Sequence, residues 1–282
     1  MIEVKIKNNI GEVLNLSTST NYTLYDVTGV TPLQMNINSS VNATSDGSTI
    51  NSIRANNRNI VLYVAIHGDI EANRLNLYKY FPPKKQISIY CKTGNRNVYI
   101  EGHTELIDVK LFSNQQVAQI SIMCPQPYFK GVHEFITYFS QIDNIFSFPF
   151  SISNVGMELS IVAEEIRKNI LNAGEVETGM VIELFAIGEV VNPVIYDVNK
   201  RTHIKLNVTM RANDKIVINT NSGQKSIKLL RAGKESNLLG HLVHTSTWLQ
   251  LSSGDNVITY DAESGESNMQ LSFKTLALYG GV

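Results

Sequence analysis

The chain has 282 residues, 43% hydrophobic and only 17% charged, with a net charge of −1. That apolar content is enough for two ordinary domains or one large all-β unit and excludes wholesale disorder. A near-neutral balance excludes bulk attraction to nucleic-acid phosphate, though not DNA that passes without being gripped.

The charged fraction lies below the usual quarter or so, and Ser, Thr, Asn and Gln make up the difference. Such a surface suits one that neighbours will cover, as it also suits many secreted β-proteins. The N-terminal stretch MIEVKIKNNIGEVLNL has no apolar core of a signal peptide. The longest apolar run, Ile60 to Ile66, has 7 residues, far too few for a membrane span. The expectation is a chain made and folded in a reducing cytoplasm, where its N-x-S/T triplets carry no glycan meaning.

In chain order, strands are predicted at Glu3 to Ile6 and near Glu12 to Leu16. From Pro32 to Asn59 the chain is rich in Asn and Ser, with Asp46-Gly47 as a turn signal. A stretch of weak pattern that long is unusual inside a compact domain and reads as a functional loop or an extended arm. Ile60 to Ile66 is apolar on both faces, as a central strand is. Asp69 caps a helix running to Phe81, with Ile70, Leu77, Tyr78 and Phe81 as its apolar side, and Pro82-Pro83 ends it. Four strands of an antiparallel meander follow: Gln86 to Cys91, Asn97 to Gly102, Glu105 to Phe112, and Val117 to Cys124. Gly102-His103 is read as the break between the second and third. Cys91 and Cys124 each lie on an alternating pattern and read as small buried hydrophobes.

Two prolines in three residues, Pro125 and Pro127, cannot lie in a central strand, so a domain boundary is placed just after, dividing the chain into 1–131 and 132–282. Pro125, Pro127, Tyr128 and Phe129 have two readings: a proline-rich ligand, or a rigid connector whose aromatics pin one domain to the other. A single P-x-P within a folded chain favours the connector. In the second half, strands are predicted near Phe146 to Ile152, Gly179 to Phe185, Ile204 to Met210, Lys215 to Asn219 and Ser226 to Leu230. A final hairpin system is expected from Trp248 onward, in which Val257 to Tyr260 is followed by Met269, Leu271 and Phe273 alternating with polar residues. Short strands divided by Gly, Asn and Asp turns point to a β-sandwich. Ile161 to Leu171 fits a helix by propensity or strands by the family resemblance below, and strands are preferred.

No motif carries chemistry. His241 and His244 lack a third ligand at useful spacing, and Glu164-Glu165 is a solvated pair. Gly223-Gln-Lys-Ser226 lacks the upstream glycine of a phosphate loop, there is no nucleophile elbow, and neither cysteine has a local His partner. Trp248, the single tryptophan, either stacks on a sugar or packs against the sandwich, and packing is favoured because large aromatics are mostly buried. No enzyme, metal or cofactor is expected.

Four stretches together resemble one family: SSVNATSDGSTINSIRANNRNIVL (39–62), LYKYFPPKKQISIYC (77–91), ISIMCPQPYFKG (120–131), and WLQLSSGDNVITYDAESG with the LALYGGV ending. They resemble the distal tail proteins of siphoviruses, prophage-encoded ones included. The resemblance implies a mainly β fold: an N-terminal ring-forming, barrel-like β-domain with one α-helix, then a galectin-like β-sandwich. It implies a homo-oligomer, a hexameric ring at the distal tail tip of a virion. That ring would join the tail tube protein and tape-measure protein to the tail-associated hub or lysin protein and to receptor-binding or baseplate proteins, passing DNA through its lumen with no membrane contact. Pro32 to Asn59 would then wrap a neighbouring subunit. The alternative is a carbohydrate-binding protein that attaches to the host wall through the sandwich.

Overall fold

The computed structural model describes residues 2–41, 44, 46–113, 115–143, 161–164 and 167–282. The protein is mainly β with one α-helix. It divides into two compact units: Met1–Val132 with Leu278–Val282, and His133–Ala277. The last five residues, which the sequence reading gave to the second domain, are thus grouped with the first.

In the first unit the strands are β1 (Glu3–Lys7), β2 (Val13–Asn15), β3 (Tyr22–Thr28), β4 (Met35–Val41), β5 (Ser48–Ala55), β6 (Arg58–Ile66), β7 (Gln86–Lys92), β8 (Asn97–Val109), β9 (Val117–Cys124) and β10 (Phe129–Tyr138), which begins here. β2, β1, β7 and β8 pair in that order, and β8, β9, β6 and β3 continue from it, every pair antiparallel. β8 belongs to both runs. Residues 97–103 pair with β7 and residues 103–109 with β9. Among the described residues this path stays open, with β2 and β3 at its ends, so the barrel-like expectation is met by a bent open sheet.

The expected break at Gly102-His103 is therefore not a break. β8 runs through it as one strand that changes partner, with a bulge between Thr104 and Leu106. A Cβ on Gly102 would lie 2.8 Å from Cys124 Sγ and from Ile122 Cγ2. Glycine is needed here for close approach of two strands, a demand that reads in the sequence like a turn signal.

Alternation places Ile60, Leu62, Val64, Ile87, Ile89, Val98, Ile100, Ile120 and Ile122 in the first core. The helix, α1 (Ile70–Tyr80), starts as predicted: the Asp69 side chain accepts from the Ala72 N–H at 3.2 Å, and Glu71 lies favourably in the first turn. Leu77 and Phe81 fill the core, and the helix stops before Pro82-Pro83.

The second unit is a two-sheet β-sandwich. One sheet holds Arg167–Asn172, Gly254–Asp261, Val194–Asp197 and Thr202–Lys205 in that order. The other includes Met269–Tyr279, Met180–Ala186, Lys215–Asn219, Ser226–Arg231 and Lys234–Asn237. Ile170, Ile195, Ile204, Ile258 and Tyr260 of the first sheet share one core with Ile182, Leu184, Ile216, Ile218, Ile227 and Phe273 of the second. Phe139 sits among them, its ring centroid 4.9 Å from Phe273 and 5.5 Å from Tyr260.

Two expectations change here. Gly254–Asp261 and Met269–Tyr279 are consecutive but lie in opposite sheets, so they form no hairpin. The crossing chain needs Gly265 at φ 79°, where a Cβ would meet the Glu189 carbonyl. The clean alternation of Ile204 to Met210 is broken into Thr202–Lys205, paired with Val194–Asp197, and Thr209–Met210, paired with Val190–Val191. Residues 161–171 are strands, Ile161–Glu164 and Arg167–Asn172, outside the undescribed 165–166. The strand expected at Phe146 to Ile152 lies outside the described residues.

Candidate assembly site

β4 and β5 form a two-stranded antiparallel sheet of their own, so the segment read as loop or arm is a hairpin. Met35 faces Ala55, Ile37 faces Ile53, Ser39 faces Ile50 and Val41 faces Ser48. Between these pairs lie Asn36 with Arg54, Asn38 with Ser52, and Ser40 with Thr49. Period-2 geometry therefore sorts the hairpin into an apolar face and a polar one. Its apolar face is uncovered: Ile37, Ile50 and Ile53 are 56%, 56% and 59% exposed. Two strands alone are marginal in water, so the hairpin needs a root and a cover.

The root is built on Arg58, the first residue of β6, which is 3% exposed. Its Nε donates to the Pro127 carbonyl at 2.7 Å, one terminal nitrogen donates to the Gly29 and Thr31 carbonyls, and the other to the Gly280 carbonyl. Its guanidinium also lies 4.7 Å from the Phe129 ring centroid. Burial pushes the Arg58 pKa down, and the carbonyl dipoles around it offset that loss of water. Gly29 has φ 81° and no room for a Cβ, which would strike the Asn59 carbonyl. One buried side chain thus ties together both feet of the hairpin.

A second surface is the sheet β3-β6-β9-β8. Its inner face is core. Its outer face carries the rows Asp26, Tyr63, Gln119, Asp108 and Thr28, Val61, Ser121, Leu106, with Asn59, Met123 and His103 beside them. Glu105 joins this face, accepting from the Ser121 hydroxyl at 2.9 Å. The charged groups of these rows are carboxylates, with no Lys or Arg among them. Among the described residues β3 pairs only with β6, and residues 104–109 of β8 only with β9. The four-stranded segment has two open edges.

The four connector residues are placed unequally. Phe129 is fully buried in the first core, and Pro127 is fixed through its carbonyl on Arg58. Tyr128 is half-buried and Pro125 is exposed. Arg58, Gly29 and the C-terminal residues were missed by sequence reasoning; a lone Arg opening the most apolar strand was the available signal.

His241 and His244 are exposed, and among the described residues no group of three His, Cys, Asp or Glu is placed to hold a metal ion. Burial pushes both Cys91 and Cys124 up to about 12, against a smaller opposing pull from Arg58, so both thiols are held protonated and inert. Gly223, at φ 78°, turns the hairpin between Lys215–Asn219 and Ser226–Arg231. Trp248 is half-buried against the second core, with the Lys225 ammonium 5.6 Å from its ring.

Comparison with known proteins bears on the sandwich by sequence and on the whole chain by fold. Residues 173–275 match the family described as siphovirus-type tail component, C-terminal domain. The whole fold is similar to that of the SPP1 Dit (gp 19.1) protein, described as a paradigm of hub adsorption apparatus in phages infecting Gram-positive bacteria. The TM-score is 0.67 at 11% identity, over 97% of this chain and 98% of that one. It is also similar to a chain of the phage P2 baseplate in its activated conformation with Ca, with a TM-score of 0.51 at 12% identity, over 97% and 98%. No curated protein matches by sequence. The family match covers residues 173–275 of the second unit, and the likeness to these two solved structures, at 11% and 12% identity, extends to the fold of the whole chain.

Proposed function

We propose that this protein is the structural hub of the distal end of a phage tail, a hexameric ring that joins the tail tube to the baseplate and host-adsorption apparatus and lets DNA pass. The observation that carries this reading is the four-stranded segment with two unlike open edges. β3 of one copy can pair with residues 104–109 of the next, a heterologous contact that repeats into a ring when its rotation closes. Strands spaced at about 4.8 Å make six such segments a closed sheet roughly 40 Å across. That is well beyond the about 16–18 strands at which barrels already open an aqueous channel.

The outer face of that sheet would line the lumen. Its Asp26, Glu105 and Asp108, with no cation in the rows, would repel phosphate and keep DNA from adhering. The hairpin would lay its apolar face on the neighbouring copy. The sandwich would serve as platform for receptor-binding or baseplate proteins, with the Pro125–Phe129 segment as the rigid connector to it. This role requires no catalytic group and places the protein in the virion, after assembly in the host cytoplasm.

Native mass spectrometry with cryo-electron microscopy tests the reading: six-fold rings in which β3 pairs with residues 104–109 of the adjacent copy are expected. A chain that stays monomeric at high concentration and binds cell-wall glycan through its second unit would overturn it in favour of carbohydrate attachment. In assembled tails, Asp26→Lys with Asp108→Lys should slow DNA release in an ejection assay while leaving rings intact.

A further inference from the structure

The hairpin root contains a ligand that comes from the far end of the chain. The Gly280 carbonyl accepts from Arg58, and the Gly281 carbonyl accepts from Arg96, whose guanidinium lies 4.8 Å from the Tyr279 ring centroid. The Val282 N–H donates to the Val30 carbonyl at 3.0 Å. Gly281 itself is buried so tightly that a Cβ would lie 2.9 Å from Pro32 N and 3.0 Å from the Thr31 carbonyl carbon. Four consecutive residues, Tyr279 to Val282, are therefore read by two arginines and by Gly29 to Pro32, the segment that leads directly into β4.

We propose that Tyr279–Val282 is a strap whose seating fixes the direction of the β4-β5 arm and so makes a protomer competent to join a second copy. This rests on the reading of the hairpin as an assembly arm. The physical reason lies in Arg58. Its guanidinium holds the Gly29 and Thr31 carbonyls on the incoming foot of the hairpin while belonging itself to the outgoing foot. Without the Gly280 carbonyl, buried donors on the same guanidinium lose their acceptor. The least costly relief is for the side chain to turn toward water, and that movement releases Gly29 and Thr31 as well. Loss of the Val282 bond to Val30 frees the same segment from a second direction. An exposed two-stranded hairpin without a fixed root has nothing of its own to hold it in one orientation. The two glycines serve opposite ends of this device: Gly29 lets the arm's foot pass under Asn59, and Gly281 lets the strap pass over Thr31 and Pro32.

The experiment uses the full chain, a variant lacking residues 280–282, and Gly281→Val. Trypsin cleavage after Arg54 reports arm order, native mass spectrometry reports ring formation, and far-UV circular dichroism reports folding. Both strap variants should keep the wild-type spectrum, be cut after Arg54 at least tenfold faster, and lose rings by a similar factor. The tetrapeptide Tyr-Gly-Gly-Val added in excess to the shortened variant should slow its cleavage. Wild-type cleavage and wild-type ring yield in both variants would overturn the proposal. If a strap variant fails to fold, Arg96→Met, which removes one strap contact and leaves Arg58 in place, must give intermediate cleavage, and an unchanged rate there overturns it equally. A chain lacking residues 38–54 separates the two readings. Intact rings from that chain sink the arm reading alone. Lost rings from it, together with wild-type strap variants, sink the strap alone.

Discussion

Two hairpins in this molecule share a pattern and have opposite fates. Lys215–Asn219 with Ser226–Arg231 pairs Ile216 with Leu229 and Ile218 with Ile227, and those four side chains lie in the second core. β4 with β5 pairs Met35 with Ala55 and Ile37 with Ile53, yet both isoleucines are more than half exposed. The local chemistry of alternation is the same in each. What differs is whether the chain supplies the opposing surface. The sandwich hairpin is finished within its own unit, whereas the arm presents an apolar face that none of the described residues covers, the kind of surface a partner would bury.

The contrast can be broken or sharpened by substitution. Ile218→Ala should cost about 2–5 kcal/mol, as buried large-to-small changes do, visible as a large drop in denaturant midpoint. Ile37→Ala should stay within ~0.5 kcal/mol in the free protomer. Equal costs would mean that the arm is packed in solution. Gly29→Ala, at the arm's root, should cost more than the ~1 kcal/mol typical of a compatible glycine site, because its φ of 81° and the Asn59 carbonyl both oppose a side chain. Ile37→Asp with Ile53→Asp should leave the protomer's melting unchanged but cut ring yield more than tenfold by native mass spectrometry.

A smaller effect separates the two regions by pH. Hydrogen bonds from Arg231 hold the Asp214 carboxyl, which is buried, below the usual carboxylate range, with the Arg211 N–H adding to them. A depressed folded value contributes stability that is present above the unfolded pKa of about 3.9 and is lost as pH falls through the folded value. Asp214→Asn should therefore flatten the acid limb of the sandwich's melting curve below about pH 4. Arm cleavage after Arg54 should not change with it. Smallest of all, Cys91 and Cys124 should stay unreactive to a thiol reagent until the chain is denatured, since burial keeps both protonated.

Much of the fold was legible because short-range periodicity and burial coincide in it. Gln86–Lys92, Val117–Cys124 and Lys215–Asn219 alternate as half-buried strands must, and Asp69 and Pro82-Pro83 bound the helix with local chemistry alone. The failures were those of long-range contact. Gly102 looked like punctuation because the sequence does not record that Cys124 passes beside it. Val257 to Tyr260 and Met269 to Phe273 looked like hairpin partners because proximity along the chain says nothing about which sheet each joins. The arm's alternation of Met35, Asn36, Ile37 and Asn38 was hidden by its Asn and Ser content. The roles of Arg58 and Gly281 were hidden for the same reason in its strongest form: their partners lie up to 222 residues away.

The two outer strands of the open-edged sheet each carry a single-residue bulge, between Leu24 and Asp26 in β3 and between Thr104 and Leu106 in β8. A bulge bends and extra-twists its strand, so in the proposed ring these two insertions would set the angle at which each copy hands its edge to the next. In a ring made by repeating one contact, that angle is the symmetry. Subunit number would then be a property of Tyr25 and Glu105, one extra residue on each margin. Deleting either should yield rings of another count, or open filaments, from protomers that fold as before.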